Sequence, residues 1–272
     1  MKKIVFLFIL LLAGWLYYNR LHSEKPVLRV GSECDYAPNN WEEKRPSDSN
    51  FPLVNNEGFY GEGYDLQIAK LVAEELGMKL EVKKIAWNDL LPALNRGEID
   101  AVFSGMLDTE ERKKIAAFSD TYEVKKTEYA VIINENSKYS NIKKLEELYG
   151  AKMVAQKDTN LDAAIDQIPG VTHMKPVDTV PEMLEMVVNN EVDGMVINYD
   201  TGRSYERIYK NLKMIRFPEG EGFVLGFNGI CAGVRKRDKD LLSKINKALD
   251  GISIRDRQKV MDRTIARVWE NL

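Results

Sequence analysis

Arg112 stands three residues beyond Thr109, in a run Asp108-Thr109-Glu110-Glu111-Arg112 that reads as the first turn of a helix opened by Asp108 or Thr109. A helix start offers free amides to an anion, and a guanidinium adds a two-pronged donor for a carboxylate. The same arginine, followed by Lys113-Lys114, also fits an ordinary solvated charge run. Glu33 and Asp200 are carboxylates at predicted strand ends, suited to hold a cation or to move a proton. Other chemistries are poorly supplied. The 272-residue chain has two histidines, His22 and His173, which argues against a His-rich metal site and a Ser-His-Asp triad. Two cysteines, Cys34 and Cys231, exclude a disulfide scaffold and a Cys-based zinc cluster. No cofactor is expected.

The positioning elements follow from periodicity. Val27–Glu33 is a strand candidate, and the polar stretch 42–60 reads as a long surface loop. Tyr64, Ile68, Leu71, Val72 and Leu76 share one helical face, with Gly77 as a C-terminal stop. Leu80–Ile85 is a second strand. Trp87 opens another helix, and Ile99–Phe103 is a third strand, so βαβαβ and a parallel sheet are expected. Beyond it, Tyr129–Ile133, Ala151–Gln156 and Val192–Asn198 read as strands. Lys143–Tyr149, Leu161–Ile168 and Pro181–Asn190 read as helices. Phe223–Val234 is strand-like, and Leu241–Leu249 and Arg255–Trp269 close the chain as helices. Leu91–Gly105 can be laid over Leu184–Asn198, so that Glu98 meets Glu191 and Asp100 meets Asp193. That suggests two similar α/β lobes; chance likeness of two helix-strand units is the alternative. Ligands of such sheets sit outside the carboxyl ends of the strands. The candidate cleft residues are therefore Glu33–Tyr36, Trp87, Ser104–Arg112 (with Gly105, Met106 and Thr109), Gln156–Asn160 (with Thr159) and Asn198–Asp200.

Residues 1–24 form an address. Lys2-Lys3 precede an apolar run from Ile4 to Tyr18. This is a secretory signal or a short uncleaved membrane anchor, with Trp15, Tyr17 and Tyr18 at the interface. Either places the body outside the cytoplasmic membrane. Three of the 39 basic residues lie in residues 1–22, leaving 36 basic against 42 acidic in the body. A mildly acidic body does not suit nucleic acid.

The blocks Tyr36-Ala37-Pro38, Gly63-Tyr64-Asp65-Leu66-Gln67-Ile68-Ala69-Lys70-Leu71-Val72-Ala73, Trp87–Leu94, Gly105–Arg112 and Phe118–Tyr122 occur in order along the chain. In this the sequence, over residues 25–272, resembles the extracellular solute-binding proteins of polar amino-acid ABC transporters, with the periplasmic-binding-protein-like type II fold. The resemblance implies two α/β lobes with mainly parallel sheets, joined by two hinge strands near Tyr122–Glu128 and Phe223–Gly229. Lobe one would comprise 25–124 and 228–272, and lobe two 125–227. It implies that Arg112 and the Thr109 amide hold a ligand α-carboxylate. Tyr36 and Trp87 would sandwich the ligand side chain, with Trp41 as a further wall. Glu33 would meet the cationic end of a basic amino acid. The implied protein is a monomer serving a membrane permease, and is no enzyme. Three positions depart from the family pattern. Leu107 replaces a Ser or Thr, Lys157 replaces a frequent Gly, and Asn198 replaces the acid for the α-ammonium, which Asp200 could supply instead. Other readings are a sensory module acting through a partner, or a cyclic-acid dehydratase on the same fold using Glu33 or Asp200. Cys34 and Cys231 are expected with one strand between them, which favours two thiols over a bridge.

Overall fold

A computed structural model of the protein describes residues 25–124, 128–225 and 229–271. The proposed address, residues 1–24, lies outside the described residues.

Lobe one starts with β1 (Val27–Ser32), β2 (Asp35–Tyr36), β3 (Asn40–Glu43), β4 (Phe51–Pro52) and β5 (Tyr60–Glu62). Then come α1 (Tyr64–Glu75), β6 (Lys79–Lys84), a 3-10 turn at Trp87–Asp89 and α2 (Leu90–Arg96). β7 (Ala101–Val102), α3 (Glu110–Lys113) and β8 (Ala117–Thr121) complete this half. Lobe two contains β9 (Tyr129–Asn134), a 3-10 turn at Leu145–Leu148, β10 (Lys152–Val154), α4 (Asn160–Ile165) and β11 (Thr172–His173). It continues through α5 (Val180–Val188), β12 (Gly194–Asn198), α6 (Tyr199–Ile208) and β13 (Leu212–Ile215). β14 (Cys231–Val234), α7 (Lys239–Asp250) and α8 (Ile254–Asn271) end the chain.

The sheets follow one plan, ordered β6-β1-β7-β14-β8 and β11-β10-β12-β9-β13. β1 pairs in parallel with β6 and β7, as β10 does with β11 and β12. β14 lies antiparallel between β7 and β8, and β9 antiparallel between β12 and β13. In each sheet four strands therefore run one way and one is reversed. Each lobe keeps its own apolar core, one around Leu28, Ile68 and Phe103 and one around Ile132, Val154 and Ile197. Full burial of such side chains stabilises by about 1.5–3 kcal/mol each.

The repeated segment occupies equivalent places. α2–β7 and α5–β12 each supply the third strand of their sheet. Gly97 and Asn190, related by the repeat, both turn the chain with positive φ, 80° and 57°. Asp100 accepts the Arg29 backbone N–H at 3.2 Å, and Asp193 accepts that of Lys152 at 2.8 Å. The shared Glu-x-Asp pattern thus ties the third strand of each sheet to its parallel neighbour, β1 in lobe one and β10 in lobe two.

Four expectations need correction. The stretch 42–60 is not a plain loop, because β2, β3, β5 and β4 form a small antiparallel sheet of two- to four-residue strands. Within 223–234, β14 begins only at Cys231. α6 and β13 had no counterpart in the sequence reading. Leu71 is only partly buried, and Leu66 joins the buried face of α1 instead. The two expected hinge crossings centre on residues 125–127 and 226–228, outside the described residues. Beside them the Tyr122 N–H donates to the Ile230 carbonyl at 3.0 Å. α7 packs on β8 and α1, and α8 packs on α1 and on α6 of lobe two. Cys34 and Cys231 are free, buried thiols. The strand order places β7 between β1, which Cys34 follows, and β14, which holds Cys231. No helix among the described residues is long and apolar enough to cross a membrane.

Candidate functional site

The carboxyl ends of β1, β7, β10 and β12 point Glu33, Ser104–Gly105, Gln156 and Asn198 at one interlobe cavity of about 40 Å³. By the ~10–15 Å³ that a water needs, it has room for a few waters. Lobe one lines it with Glu33, Tyr36, Trp87, Ser104, Gly105, Leu107 and Arg112. Lobe two faces them with Tyr129, Gln156, Thr159, Asn160, Leu161 and Asn198.

Arg112 is half-buried and positioned by its own helix. The Thr109 Oγ1 caps α3 by accepting the Arg112 backbone N–H at 3.3 Å. The guanidinium donates to the Leu107 carbonyl at 3.0 Å and, across the cleft, to the Asp158 carbonyl at 3.2 Å. It stacks over Trp87, 5.0 Å from the ring centre. Among the described residues it has no carboxylate at ion-pair distance, and burial lowers its pKa. Such a donor retains capacity for an anion.

Glu33 is the converse. It is 4% exposed and makes no ion pair among the described residues. Its backbone N–H donates to Ser104 Oγ at 3.0 Å, and its carboxyl oxygen accepts the Gln156 amide from lobe two. Burial, with repulsion from Asp35, pushes its pKa up to about 8, against the Gln156 hydrogen bond and the more distant Lys84.

Among the described residues three side-chain hydrogen bonds cross the cleft: Gln156 to Glu33, and Trp87 Nε1 (3.2 Å) and Arg112 to the carbonyl of Asp158. Asp158 presents that carbonyl from a left-handed backbone with φ 57°. Tyr36, on lobe one, packs into the lobe-two core. Behind the cavity, the buried Asp65 accepts hydrogen bonds from the Tyr122 hydroxyl and the Asn40 amide, both at 2.8 Å. Burial raises its pKa to about 7, opposed by hydrogen bonds from these groups and from the Gly105 backbone.

Of the twelve residues singled out from sequence, eight line the cavity: Glu33, Tyr36, Trp87, Ser104, Gly105, Arg112, Thr159 and Asn198. Four do not. Trp41 pairs within the small sheet and donates its indole N–H to Glu43 at 2.8 Å. Met106 is buried in a core cluster with Leu90 and Leu94, so its strand-end position turns it inward. Thr109 acts as the cap of α3. Asp200 lies in the first turn of α6 and lines a separate hollow of about 130 Å³ with Glu123, Glu128 and Gln258. Asn198 borders both spaces. Lys157, one of the three departures, is exposed, whereas Leu107 lines the cavity. Tyr129 and Leu161 were missed. Tyr129 opens an apolar strand and pairs with Asn198, a register that the sequence pattern does not reveal.

The chain is similar to the arginine-binding extracellular protein ArtP of Bacillus subtilis (strain 168), at 26% identity over 229 residues, covering 84% of this chain and 81% of that one. Its fold is similar to the crystal structure of the substrate-binding protein of an amino acid ABC transporter, with TM-score 0.72 and 27% identity over 87% of this chain and 98% of the other. It is also similar to an ancestral amino-acid-binding protein described as a precursor of cyclohexadienyl dehydratase, with TM-score 0.71 and 26% identity over 88% and 95% of the two chains. The model of the bacterial extracellular solute-binding proteins, family 3, matches residues 28–263, and the chain belongs to that family.

Proposed function

We propose that the protein is the substrate-binding component of an amino-acid ABC transporter and captures a basic amino acid between its lobes. One observation carries this reading. Among the described residues, a half-buried guanidinium with no acid partner, Arg112, and a buried carboxyl with no base partner, Glu33, line one small cavity. A ligand with a carboxylate at one end and a cation at the other supplies both missing partners. Arg112 then holds the α-carboxylate by a bidentate pair, and Glu33 takes the side-chain cation. Trp87 and Tyr36 form the walls, and the polar edge of Asn198 receives the α-ammonium. Lobes 25–124 with 228–272 and 125–227 close over the ligand about the two crossings and present the closed form to a permease. Residues 1–24 direct the chain outward and hold it at the membrane. The protein acts as a monomer.

A thermal-shift panel of amino acids tests this. A ligand that binds only the folded form at 100 times its Kd stabilises by about 2.7 kcal/mol. Arginine, lysine or ornithine raises the melting point of the native protein, and Arg112→Ala abolishes the rise. A second reading is supported by Glu33, whose raised pKa near 8 suits a general acid. Turnover of a cyclohexadienyl acid, lost in Glu33→Gln, would favour it over transport.

A further inference from the structure

Gln156 is more than a lining residue. Its amide donates one proton to Glu33 across the cleft and one to the Asp178 carbonyl at 3.0 Å, which uses both amide hydrogens. Its backbone carbonyl accepts the Thr159 hydroxyl at 2.6 Å. Gln156 is therefore fixed from both ends and aimed at the buried carboxyl of Glu33.

The charges around Glu33 are otherwise committed. Lys84 is shared between Asp35 at 3.0 Å and Glu42 at 3.3 Å. Arg112 donates to the Leu107 and Asp158 carbonyls. The Tyr36 and Tyr129 hydroxyls are held above their ordinary pKa by burial, as is the neighbouring Cys34 thiol. Among the described residues no cation pairs with the carboxyl, and a neutral amide stands where a ligand's cation belongs. An uncompensated charge there is disfavoured, in line with a pKa near 8.

Resting on the reading that a basic amino acid occupies the cleft, we propose that Gln156 is a built-in competitor for the ligand's cationic end. Its amide holds Glu33 in the unliganded closed form. Capture of the cation displaces that amide and sends the carboxyl proton of Glu33 to solvent. Atoms and charge balance. Protonated Glu33 and the ligand cation become an ion pair and one hydrated proton, and the Gln156 amide turns to water or to the ligand's polar edge. Two consequences differ from those of an ordinary ligand contact. The competition weakens every ligand by the same factor, because it acts on the unliganded state. Proton release accompanies a cationic side chain and not its neutral isostere.

The test is titration calorimetry of the whole protein with arginine and with citrulline at pH 6.5, in two buffers of different ionisation enthalpy. Native protein, Gln156→Ala and Glu33→Gln are compared, with circular dichroism as the check on folding. Arginine releases close to one proton per molecule bound to the native protein and to Gln156→Ala, and none with Glu33→Gln. Citrulline releases none. Gln156→Ala tightens arginine and citrulline by the same factor, about three- to tenfold, the worth of one hydrogen bond. Arginine heats independent of buffer would overturn the proton exchange. Weaker binding in Gln156→Ala, or unequal changes for the two ligands, would make Gln156 a direct ligand contact and overturn the competition. No heat from either ligand in the native protein would remove the functional reading beneath both.

Discussion

Replacing Arg112 by Ala separates a ligand-holding arginine from a structural one, because the first role predicts little change in the unliganded protein and the second a large loss of stability. Without ligand, the guanidinium makes two hydrogen bonds to carbonyls, at 3.0 and 3.2 Å, and stacks on Trp87 at 5.0 Å. Hydrogen bonds to a charged group contribute about 1.5–3 kcal/mol each, and stacking of this kind about 0.5–2 kcal/mol. Against them stands the desolvation of a cation with no paired anion, several kcal/mol in magnitude. The two sides nearly cancel. Arg112→Ala therefore shifts the unliganded stability by no more than about 1 kcal/mol, or roughly 2–4 °C in Tm for a chain of this size class. With ligand the balance changes, since truncating one partner of a buried charge pair costs about 2–5 kcal/mol. At ~1.4 kcal/mol per decade, Kd rises on the order of 30- to 4000-fold. Calorimetric titration gives the Kd and a thermal ramp gives the Tm. A Kd change below tenfold, or an unliganded Tm loss above about 8 °C, would refute the reasoning. Arg112→Lys should fall between, because an ammonium keeps the charge and loses the two-pronged geometry.

Glu33 and Asp65, raised to about 8 and about 7, keep protons in the folded state that the unfolded chain has already lost. Their combined effect lowers unliganded stability progressively as pH rises from about 4 to about 8. Melting points at pH 5, 6.5 and 8 should show this decline, and Glu33→Gln should flatten part of it. His173 contributes a decline of the same sign over a higher pH window. Asp162 and Asp166 flank its two ring nitrogens at 2.8 Å and raise its pKa against the effect of burial. Its stabilisation is fully present below pH 6.5 and lost at higher pH, so His173→Gln should cost more at pH 5.5 than at pH 9 in chemical denaturation. Gly63 holds φ 130°, and an added Cβ there would meet the Asn39 carbonyl and lie 2.6 Å from Asn40 Cα. Gly63→Ala should destabilise by at least ~2 kcal/mol through strain and overlap with backbone that cannot move aside, measurable by urea titration.

Much of the architecture was legible because the signals were local. The Glu-x-Asp repeat reported two equivalent third strands, and Asp100 and Asp193 show why: each anchors the parallel strand beside it, β1 or β10. The strand-end rule brought Glu33, Ser104, Gln156 and Asn198 to one cavity before any contact was known. What stayed hidden depends on pairing and direction. α6 carries Asp200, Gly202, Arg203, Glu206 and Arg207, and its buried stripe of Thr201, Ser204 and Tyr205 is too polar to stand out as an apolar face. β2 and β4 have two residues each, too few to establish a period. Met106 lies between the lining residues Gly105 and Leu107, and Asp200 lies two positions past Asn198, already in α6. A one-residue step sends Met106 into a core, and the turn from β12 into α6 sends Asp200 into another hollow. Gln156 lay within the candidate range, yet its bond to Glu33 spans 123 positions, a separation beyond any local pattern.

The most direct test of the central claim is a crystal structure of the protein grown with arginine. The account predicts one arginine between the lobes, its α-carboxylate bidentate on Arg112 and its guanidinium on Glu33, with the Gln156 amide displaced. An arginine bound in the reverse direction, bound in the hollow beside Asp200, or absent from the cleft while Gln156 still holds Glu33, would contradict it.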